Sequence, residues 1–593
     1  MSTPSCHFPA PKERATGLWP AVLNAPLWCV LFVMLAVTAH AQWQSPSYAL
    51  KSGWNAIYLH GDATYAPPAT VFASSHVAEV WRWNPNPNQV QFTTTPLIPS
   101  SGTAEWTVWK SDGSVTALSQ LLGQTAYLVK CDATTPAGYT LPIAQRMLPP
   151  TTNWVRNGAN LMGFPSKLNS GAYPLFSNYF STFPAVIAAN VKIFKYVGGD
   201  LGAANPLQVF APTSERLDRN QAYWFDSEVV GNFYAPVDIS VSNRDGLDFG
   251  RTGAIITVNL LNRSSTASTV TIAPVASGTA PAGQESVFGG VPVTFRTYNA
   301  GTSAWTEAPI TSAITQVIGP NSTVTLSFGI NRADATMTGA PPESFFASLL
   351  RFTDSANLYD IQLPVRAHKA SLAGLWIGDA QVTDVESKGP ITSPGTGLSA
   401  PTTPGTATGN AYPLRYIFHV ADDGTVRLLS QVYMGTLAAA PNAVGICTKE
   451  SGLKSDSLAS ARRIVSAHLP LDRVLTAGSG SFALPGTLAR TITIPFDDPV
   501  NPFVHEYHPD HDNKSAAGAA LPSGQESYTI NRAVSFTFSA TAPPGVTATG
   551  YGSKVIAGTY AETITGLHKD SIVISGTFQL NRVSETGSIT VIP

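Results

Sequence analysis

Apolar and polar residues alternate with a two-residue period along most of the chain, as in Val77–Trp83 and Gly576–Arg582. This period places successive side chains on opposite faces of a β-strand. The alternating runs are separated by clusters of glycine, proline, asparagine and serine, which form turns. Because 593 residues exceed what one core organises, the pattern predicts a mainly β, multidomain protein with only short helices.

The first part of the chain contains two similar segments, 42–148 and 149–240. Three stretches recur in the same order, which indicates duplication of one β-rich module. In each copy a strand is followed by a short helix, begun at Pro68 in the first copy, and then by a second strand. Ser114 is predicted to begin another helix that ends at Gly123. The matching pairs are Lys51–Ile57 with Arg156–Met162, Val77–Trp83 with Ala189–Tyr196, and Gln124–Val129 with Asn220–Phe225.

Residues 241–368 show shorter strands at regular spacing, which predicts an antiparallel β-sandwich. The opening Leu247-Asp248-Phe249-Gly250, followed by a strand that reaches Asn259, resembles the immunoglobulin-like spacer modules of bacterial envelope proteins. The resemblance implies an Ig-like β-sandwich that acts as scaffold.

Residues 369–593 contain long alternating strands that suit an antiparallel, barrel-like meander. A Gly374-x-Trp376 motif lies on the first strand and Arg582 on the last. This arrangement resembles the lipocalin-type barrel. The resemblance implies that Arg582 packs over Trp376 and seals one end of the domain.

The N-terminus has the layout of a secretory signal peptide over residues 1–41. Lys12 and Arg14 precede the apolar run Leu27–Ala39, and small residues flank a cleavage position before Gln42. The alternative is an uncleaved anchor, but the run is short for a bilayer span. We therefore expect a secreted, periplasmic or cell-surface protein with no membrane span after cleavage.

The charge of the chain excludes some classes of partner. Charged residues make up 12% of the sequence and the formal net charge is −2. Nucleic acids and anionic membranes require a basic face, so neither is expected as a partner. Cys131 and Cys447 are the only cysteines after residue 41. They lie in different predicted domains, which excludes a disulfide framework.

Tryptophan is concentrated near the start of the mature chain, with eight of the 12 tryptophans in residues 42–240. Trp81 and Trp83 point to the same side of a predicted strand. Together they could form a flat platform on which a sugar ring or the apolar side chains of a partner stack. The alternative is that both rings belong to the core of the module.

The densest group of titratable residues is Asp497–Asn513, which holds three of the eleven histidines. Pro509 favours a tight turn that would bring two of these histidines together. A mixed set of nitrogen and oxygen ligands suits zinc or a similar divalent metal. The alternative is a structural loop held by Asx turns. The predicted ligands are His505, His508, Asp510, His511 and Asp512.

The spacing of His505, His508, Asp510 and His511 resembles the metallo-β-lactamase motif with one inserted residue. That resemblance implies a metal-dependent hydrolase. Taken together, the repeat, the sandwich, the barrel and the histidine loop resemble large secreted modular β-proteins of environmental bacteria. We favour a non-catalytic envelope or extracellular protein that binds a glycan or another surface component. The alternatives are the hydrolase and a purely structural surface protein.

Overall fold

A computed structural model of the protein describes residues 42–84, 99, 103–152, 154–155, 158–202, 204–227, 231–386, 405–406, 413–429, 433–437, 445–447, 462–466, 478–495, 529–565 and 572–588. These residues belong to the larger of two units into which the chain divides, Ala39–Pro593. They form a multidomain, mainly β fold, as the alternation predicts. No helix in the described part of the chain is long and apolar enough to cross a membrane.

The first two segments each contain a four-stranded sheet, ordered β3-β7-β5-β6 in the first and β10-β13-β11-β12 in the second. Their elements are β1 Trp43–Gln44, β2 Ser47–Ala49, β3 Gly53–Leu59, β4 Gly61–Asp62, α1 Pro68–Val71, β5 Val77–Trp83, β6 Trp106–Lys110, β7 Thr125–Cys131, β8 Thr140–Pro142, β9 Gln145–Met147, β10 Gly158–Met162, α2 Phe176–Tyr179, a 3₁₀-helix Pro184–Ile187, β11 Lys192–Lys195, β12 Leu207–Gln208 and β13 Tyr223–Ser227.

Residues that match between the two segments make equivalent hydrogen bonds. The side-chain amides of Asn55 and Asn160 donate to carbonyls four and five residues earlier, at 2.7 and 3.1 Å. The hydroxyls of Tyr127 and Tyr223 each accept the backbone N–H five residues earlier, at 2.7 and 3.0 Å. These hydrogen bonds attach the strand that comes first in the chain and the strand that comes last, in each sheet, to the loop before it.

The helix predicted from Ser114 to Gly123 is absent. Asp112 accepts both the backbone N–H and the hydroxyl of Ser114, at 2.9 and 2.7 Å, which forms a turn instead of a helix cap. The backbone N–H of Leu118 then donates to the carbonyl of Val108 at 2.8 Å, so the segment follows β6. Leu118 reaches the core of its module from this extended path.

Residues 237–368 form two facing sheets around a shared core, ordered β14-β16-β22-β19-β20 and β15-β24-β23-β17-β21. Their elements are β14 Val237–Val241, β15 Leu247–Asp248, β16 Ile255–Asn262, β17 Ser268–Val275, β18 Val287–Gly289, β19 Val293–Asn299, β20 Ala304–Pro309, β21 Ile314–Ile318, β22 Thr323–Ile330, α3 Ala335–Thr338, β23 Phe345–Asp354 and β24 Asp360–His368.

The last segment is dominated by one antiparallel sheet, ordered β28-β27-β25-β36-β35-β34-β33-β32, that forms a half-barrel. Among the described strands its two edges, β28 and β32, do not pair with each other. The elements are β25 Gly374–Glu386, β26 Gly405–Thr406, β27 Pro413–Val420, β28 Val426–Leu429, β29 Tyr433–Leu437, β30 Gly445–Cys447, β31 Arg462–Ser466, β32 Gly478–Gly480, β33 Gly486–Ile494, β34 Ile530–Phe538, β35 Val555–Thr565 and β36 Ile572–Ser584.

The contact predicted between Arg582 and Trp376 is confirmed. The guanidinium carbon of Arg582 lies 5.7 Å from the centroid of the Trp376 ring, and the same guanidinium donates to the carbonyl of Ala373. Trp376 is fully buried, and its indole N–H donates to the carbonyl of Leu372 at 2.8 Å. Such a cation–π contact stabilises a fold by about 0.5–2 kcal/mol.

A buried ion pair lies on the inner face of the half-barrel. Arg532 and Glu562 have no exposed side-chain surface, and Arg532 Nη2 lies 3.1 Å from Glu562 Oε2. Arg532 Nη2 also donates to the hydroxyl of Tyr416 at 3.1 Å, and Tyr416 donates to the hydroxyl of Tyr560 at 2.7 Å. Although burial alone would lower the pKa of Arg532, the charge of Glu562 raises that pKa above its ordinary value. The arginine is therefore a cation that depends on Glu562.

Candidate functional site

Trp81 and Trp83 lie in the interior and not on an exposed platform. Their exposed fractions are 4% and 6%. The sheet of the second segment covers them, and the Trp83 ring centroid lies 5.1 Å from that of Trp224. The indole N–H of Trp83 donates to the carbonyl of Ala159 at 3.2 Å. Both rings point to one side of β5, as predicted, but that side meets the second sheet, so neither ring offers a face to a sugar.

The predicted metal ligands His505, His508, Asp510, His511 and Asp512 lie outside the described residues. Among the residues that the structure describes, no group of three histidine, cysteine, aspartate or glutamate side chains is placed to hold a metal ion. The metal site stays a prediction. Elemental analysis of the mature protein beside a His508→Ala/His511→Ala variant tests it directly.

An exposed aromatic pair lies instead on the hairpin of β19 and β20. The two strands pair so that Tyr298 faces Trp305 across the ladder, and the ring centroids are 5.3 Å apart. The exposed fractions of these side chains are 50% and 52%. At the turn, the side-chain oxygen of Asn299 accepts the N–H of Gly301 at 2.9 Å. On the opposite face Phe295 packs against the sandwich core, and the alternation of β19 therefore places Tyr298 on the outer face.

A shielded ion pair supports the Trp305 ring from below. The guanidinium carbon of Arg296 lies 4.7 Å from the ring centroid of Trp305. Arg296 Nε donates to Glu307 at 2.9 Å, and only 11% and 14% of these two side chains is exposed. Thr294 and Thr549 also donate to Glu307, at 3.2 and 2.8 Å. These bonds hold the cation against one face of the Trp305 ring and thereby restrict the orientation of that ring.

The aromatic pair is one end of a row that crosses the outer face of the five-stranded sheet. The registers of β14 with β16, β16 with β22 and β19 with β20 place one residue of each strand at the same level. The ladder between β19 and β22 ends at the pair Arg296 and Ser327. Its register, continued by two residues, aligns Tyr298 with Thr325. The row consists of Ser240, Asn259, Thr325, Tyr298 and Trp305, and every member is exposed.

The polar half of the row borders a groove of about 920 Å³ between the sandwich and the connection of the first two segments. Ser240 and Asn259 line it, together with Asp238 and Arg244. Asp238 Oδ2 accepts from Arg263, whereas its Oδ1 is buried and has no partner among the described residues. Burial raises the pKa of Asp238. The groove borders the polar end of the row, and its volume is that of a ligand site.

The aromatic pair was not predicted from the sequence, because no strand was expected over Ala304–Pro309 and Tyr298 therefore had no predicted partner. The signal was present, because Tyr298-Asn299-Ala300-Gly301 precedes Ser303 and Trp305, and an asparagine and glycine between alternating residues is typical of a hairpin. The exposure of the pair, however, depends on which face of the sheet meets the core.

The chain matches no protein-family model. No curated protein is significantly similar to it. Among solved structures, the class 5 fimbriae chaperone CfaA has 11% sequence identity, with 40% of this chain and 100% of that chain covered and a TM-score of 0.13. A protein of unknown function from Bacteroides ovatus has 9% identity, with 60% and 96% covered and a TM-score of 0.14. At these scores neither likeness carries an argument about fold or function.

Proposed function

We propose that this protein is an exported, non-catalytic component of the envelope or extracellular space that binds a glycan chain on the outer face of its sandwich sheet. The observation that carries the proposal is the exposed row that joins the aromatic pair Tyr298 and Trp305 to polar groups of the neighbouring strands. Export rests on the signal-like N-terminus. The first two segments, as copies of one module, and the Ig-like sandwich would serve as scaffold.

The chemistry of the row matches a carbohydrate. Aromatic faces stack on the apolar faces of sugar rings. Hydroxyl and amide groups both donate and accept hydrogen bonds, as the hydroxyl groups of sugars require. Thr325 already donates to Asn259 at 2.7 Å, so the two side chains are oriented before binding. The row extends over five strands, which suits several sugar units in line.

The charges near the row favour a neutral glycan over a polyanion. Asp238 and Arg244 line the groove with opposite signs. Arg296 lies mostly beneath the Trp305 ring and pairs with Glu307. A polyanion requires a surface with excess positive charge, which the described residues of this face lack. We therefore expect a neutral glycan, whose binding depends only weakly on salt concentration.

The Trp305→Ala variant is expected to bind its glycan about threefold to tenfold more weakly, since one stacking ring is lost. Its free energy of unfolding is expected to fall by only about 0.5–2 kcal/mol, because the ring is half exposed and the variant loses the cation–π contact with Arg296. A screen of the mature protein against neutral polysaccharides, followed by calorimetric titration of the best ligand, measures the effect. Asn259→Ala is expected to weaken binding as well, through loss of hydrogen bonds.

Phe210→Ala serves as the matched control, because Phe210 is 79% exposed and belongs to the second segment. It removes an exposed aromatic ring without touching the row. If Trp305→Ala binds the glycan as tightly as the wild type does, the binding site does not include the Trp305 ring on the sandwich face. If the wild-type protein binds none of the glycans in the screen, the proposed function itself is wrong.

A further inference from the structure

A second cavity, of about 310 Å³, lies between the sandwich and the half-barrel. Its walls come from the end of the sandwich around α3, from the connecting residues Lys369–Ala373, and from two turns of the half-barrel. The inner face of the half-barrel is itself occupied by packed side chains such as Phe418, Phe536 and Phe578. The cavity is therefore separate from the barrel interior and also from the glycan row.

Two cations line this cavity without a carboxylate partner among the described residues. Arg332 is 6% exposed, and its Nη atoms donate to the carbonyls of His368, Phe249, Gly250 and Gly253. Its Nε is buried and has no partner among the described residues. Burial lowers the pKa of Arg332 to about 10, and the more distant charge of Glu585 opposes this shift. The guanidinium is therefore still charged at neutral pH.

The second cation is Lys369. Its ammonium donates to the carbonyls of Thr338, at 2.6 Å, and of Ala340. An ammonium has three N–H donors, so one is left for a ligand. Lys369 is partly buried. A partly buried cation that is bonded only to carbonyls attracts an anion more strongly than a fully solvated cation does, because less water screens the attraction.

The remaining walls are apolar or solvated. Leu372, Phe482 and Leu484 form an apolar surface, together with Met337. Asp422 and Asp423 also line the cavity, but both are exposed and belong to the turn between β27 and β28. Asp423 accepts the backbone N–H of Thr425 at 2.8 Å. Water screens these carboxylates, whereas it reaches Arg332 hardly at all.

We propose that this cavity binds a small organic acid whose carboxylate or phosphate group contacts Lys369 and is attracted by the charge of Arg332, and whose short apolar chain packs on Leu372, Phe482 and Leu484. Charge-assisted hydrogen bonds would hold the acid group, and burial of the chain adds hydrophobic stabilisation. The ligand contacts both domains, so it would also stabilise their interface. The proposal is independent of glycan binding.

Calorimetric titration of the full mature chain tests the proposal with four probes of equal chain length: octanoate, octyl phosphate, octanol and octyltrimethylammonium. We expect at least one of the two acids to bind, and the neutral and cationic probes to bind about tenfold more weakly or worse. The two acids distinguish a carboxylate from a phosphate source. No binding of either acid, or preferred binding of octyltrimethylammonium through Asp422 and Asp423, would overturn the proposal.

Two variants locate the site. Lys369→Met is expected to weaken binding of the acid about tenfold to a hundredfold, because a charge-assisted hydrogen bond is lost. Ala483→Phe keeps both cations and fills the cavity, so it is expected to abolish binding even if Lys369→Met folds poorly. Lys192→Met, an exposed lysine of β11, is the control. Binding by Ala483→Phe at the wild-type level would show that the acid binds elsewhere.

Discussion

The Glu562→Ala variant is expected to destabilise the half-barrel by about 3–5 kcal/mol, because it leaves the Arg532 cation buried without its counter-charge. Arg532 has no exposed side-chain surface, and its Nη1 already lacks a partner among the described residues. The hydroxyl of Tyr560, which donates to Glu562, would lose its acceptor as well. An alanine also leaves an unfilled space between well-packed rings, which adds to the cost.

Hydrogen exchange of the backbone amides of β34, β35 and β36 measures this loss, since it reports local opening in a protein with several domains. The informative control is an Arg532→Met/Glu562→Leu double variant, which removes both charges and keeps most of the volume. Replacement of a buried ion pair by apolar residues is often neutral or stabilising. The double variant should therefore be more stable than Glu562→Ala. The opposite order would mean that Arg532 is not held by its charge partner.

Loss of the Trp224 ring is expected to cost about 3–5 kcal/mol in the free energy of unfolding of the first two segments. Trp224 is 1% exposed, and its ring centroid lies 5.1 Å from that of Trp83 and 6.2 Å from that of Trp106. Its indole N–H donates to the hydroxyl of Tyr196 at 3.1 Å. The Trp224→Ala variant would leave a cavity between two sheets that are held together mainly by such rings.

Urea denaturation followed by circular dichroism, together with hydrogen exchange of β3, β5 and β10, measures the effect. The Trp305→Ala variant is a matched control, since it removes the same side chain from an exposed position. Its free energy of unfolding should fall by only about 0.5–2 kcal/mol, because the variant loses the cation–π contact with Arg296 but leaves no buried cavity. Similar losses in the two variants would contradict the assignment of Trp224 to the core and of Trp305 to a binding surface.

Tryptophan illustrates how far the candidate site could be predicted from sequence. The clustering of tryptophans in residues 42–240 indicated either a core or a platform. In the structure Trp81 and Trp83 are packed in a core. Trp305 has no tryptophan near it in sequence, and no repeat marks it. It became a candidate only when the register brought Tyr298 beside it and the sheets left their common face exposed.

The fold class could be predicted from the sequence because the alternation of apolar and polar residues is a local property of each strand. The alternating stretch Val77–Trp83 is a strand in the structure, and the short helix at Pro68 formed where proline favours a first turn. The helix predicted from Ser114 does not form, because the hydroxyl of Ser114 donates to Asp112 and is not available to cap a helix. Local patterns compete with neighbouring polar groups, and a single side chain can decide the outcome.

Alternation by itself determined that this protein is built of strands with two distinct faces, and the resemblance carried by Gly374, Trp376 and Arg582 implied one long-range contact that the structure contains. Only the tertiary structure decided which faces meet other sheets and which meet water. The second sheet buried Trp83, the half-barrel enclosed Arg532 and Glu562, and the sandwich left Trp305 outside. The physical reason is that burial depends on contacts between residues far apart in sequence, which a two-residue period cannot specify.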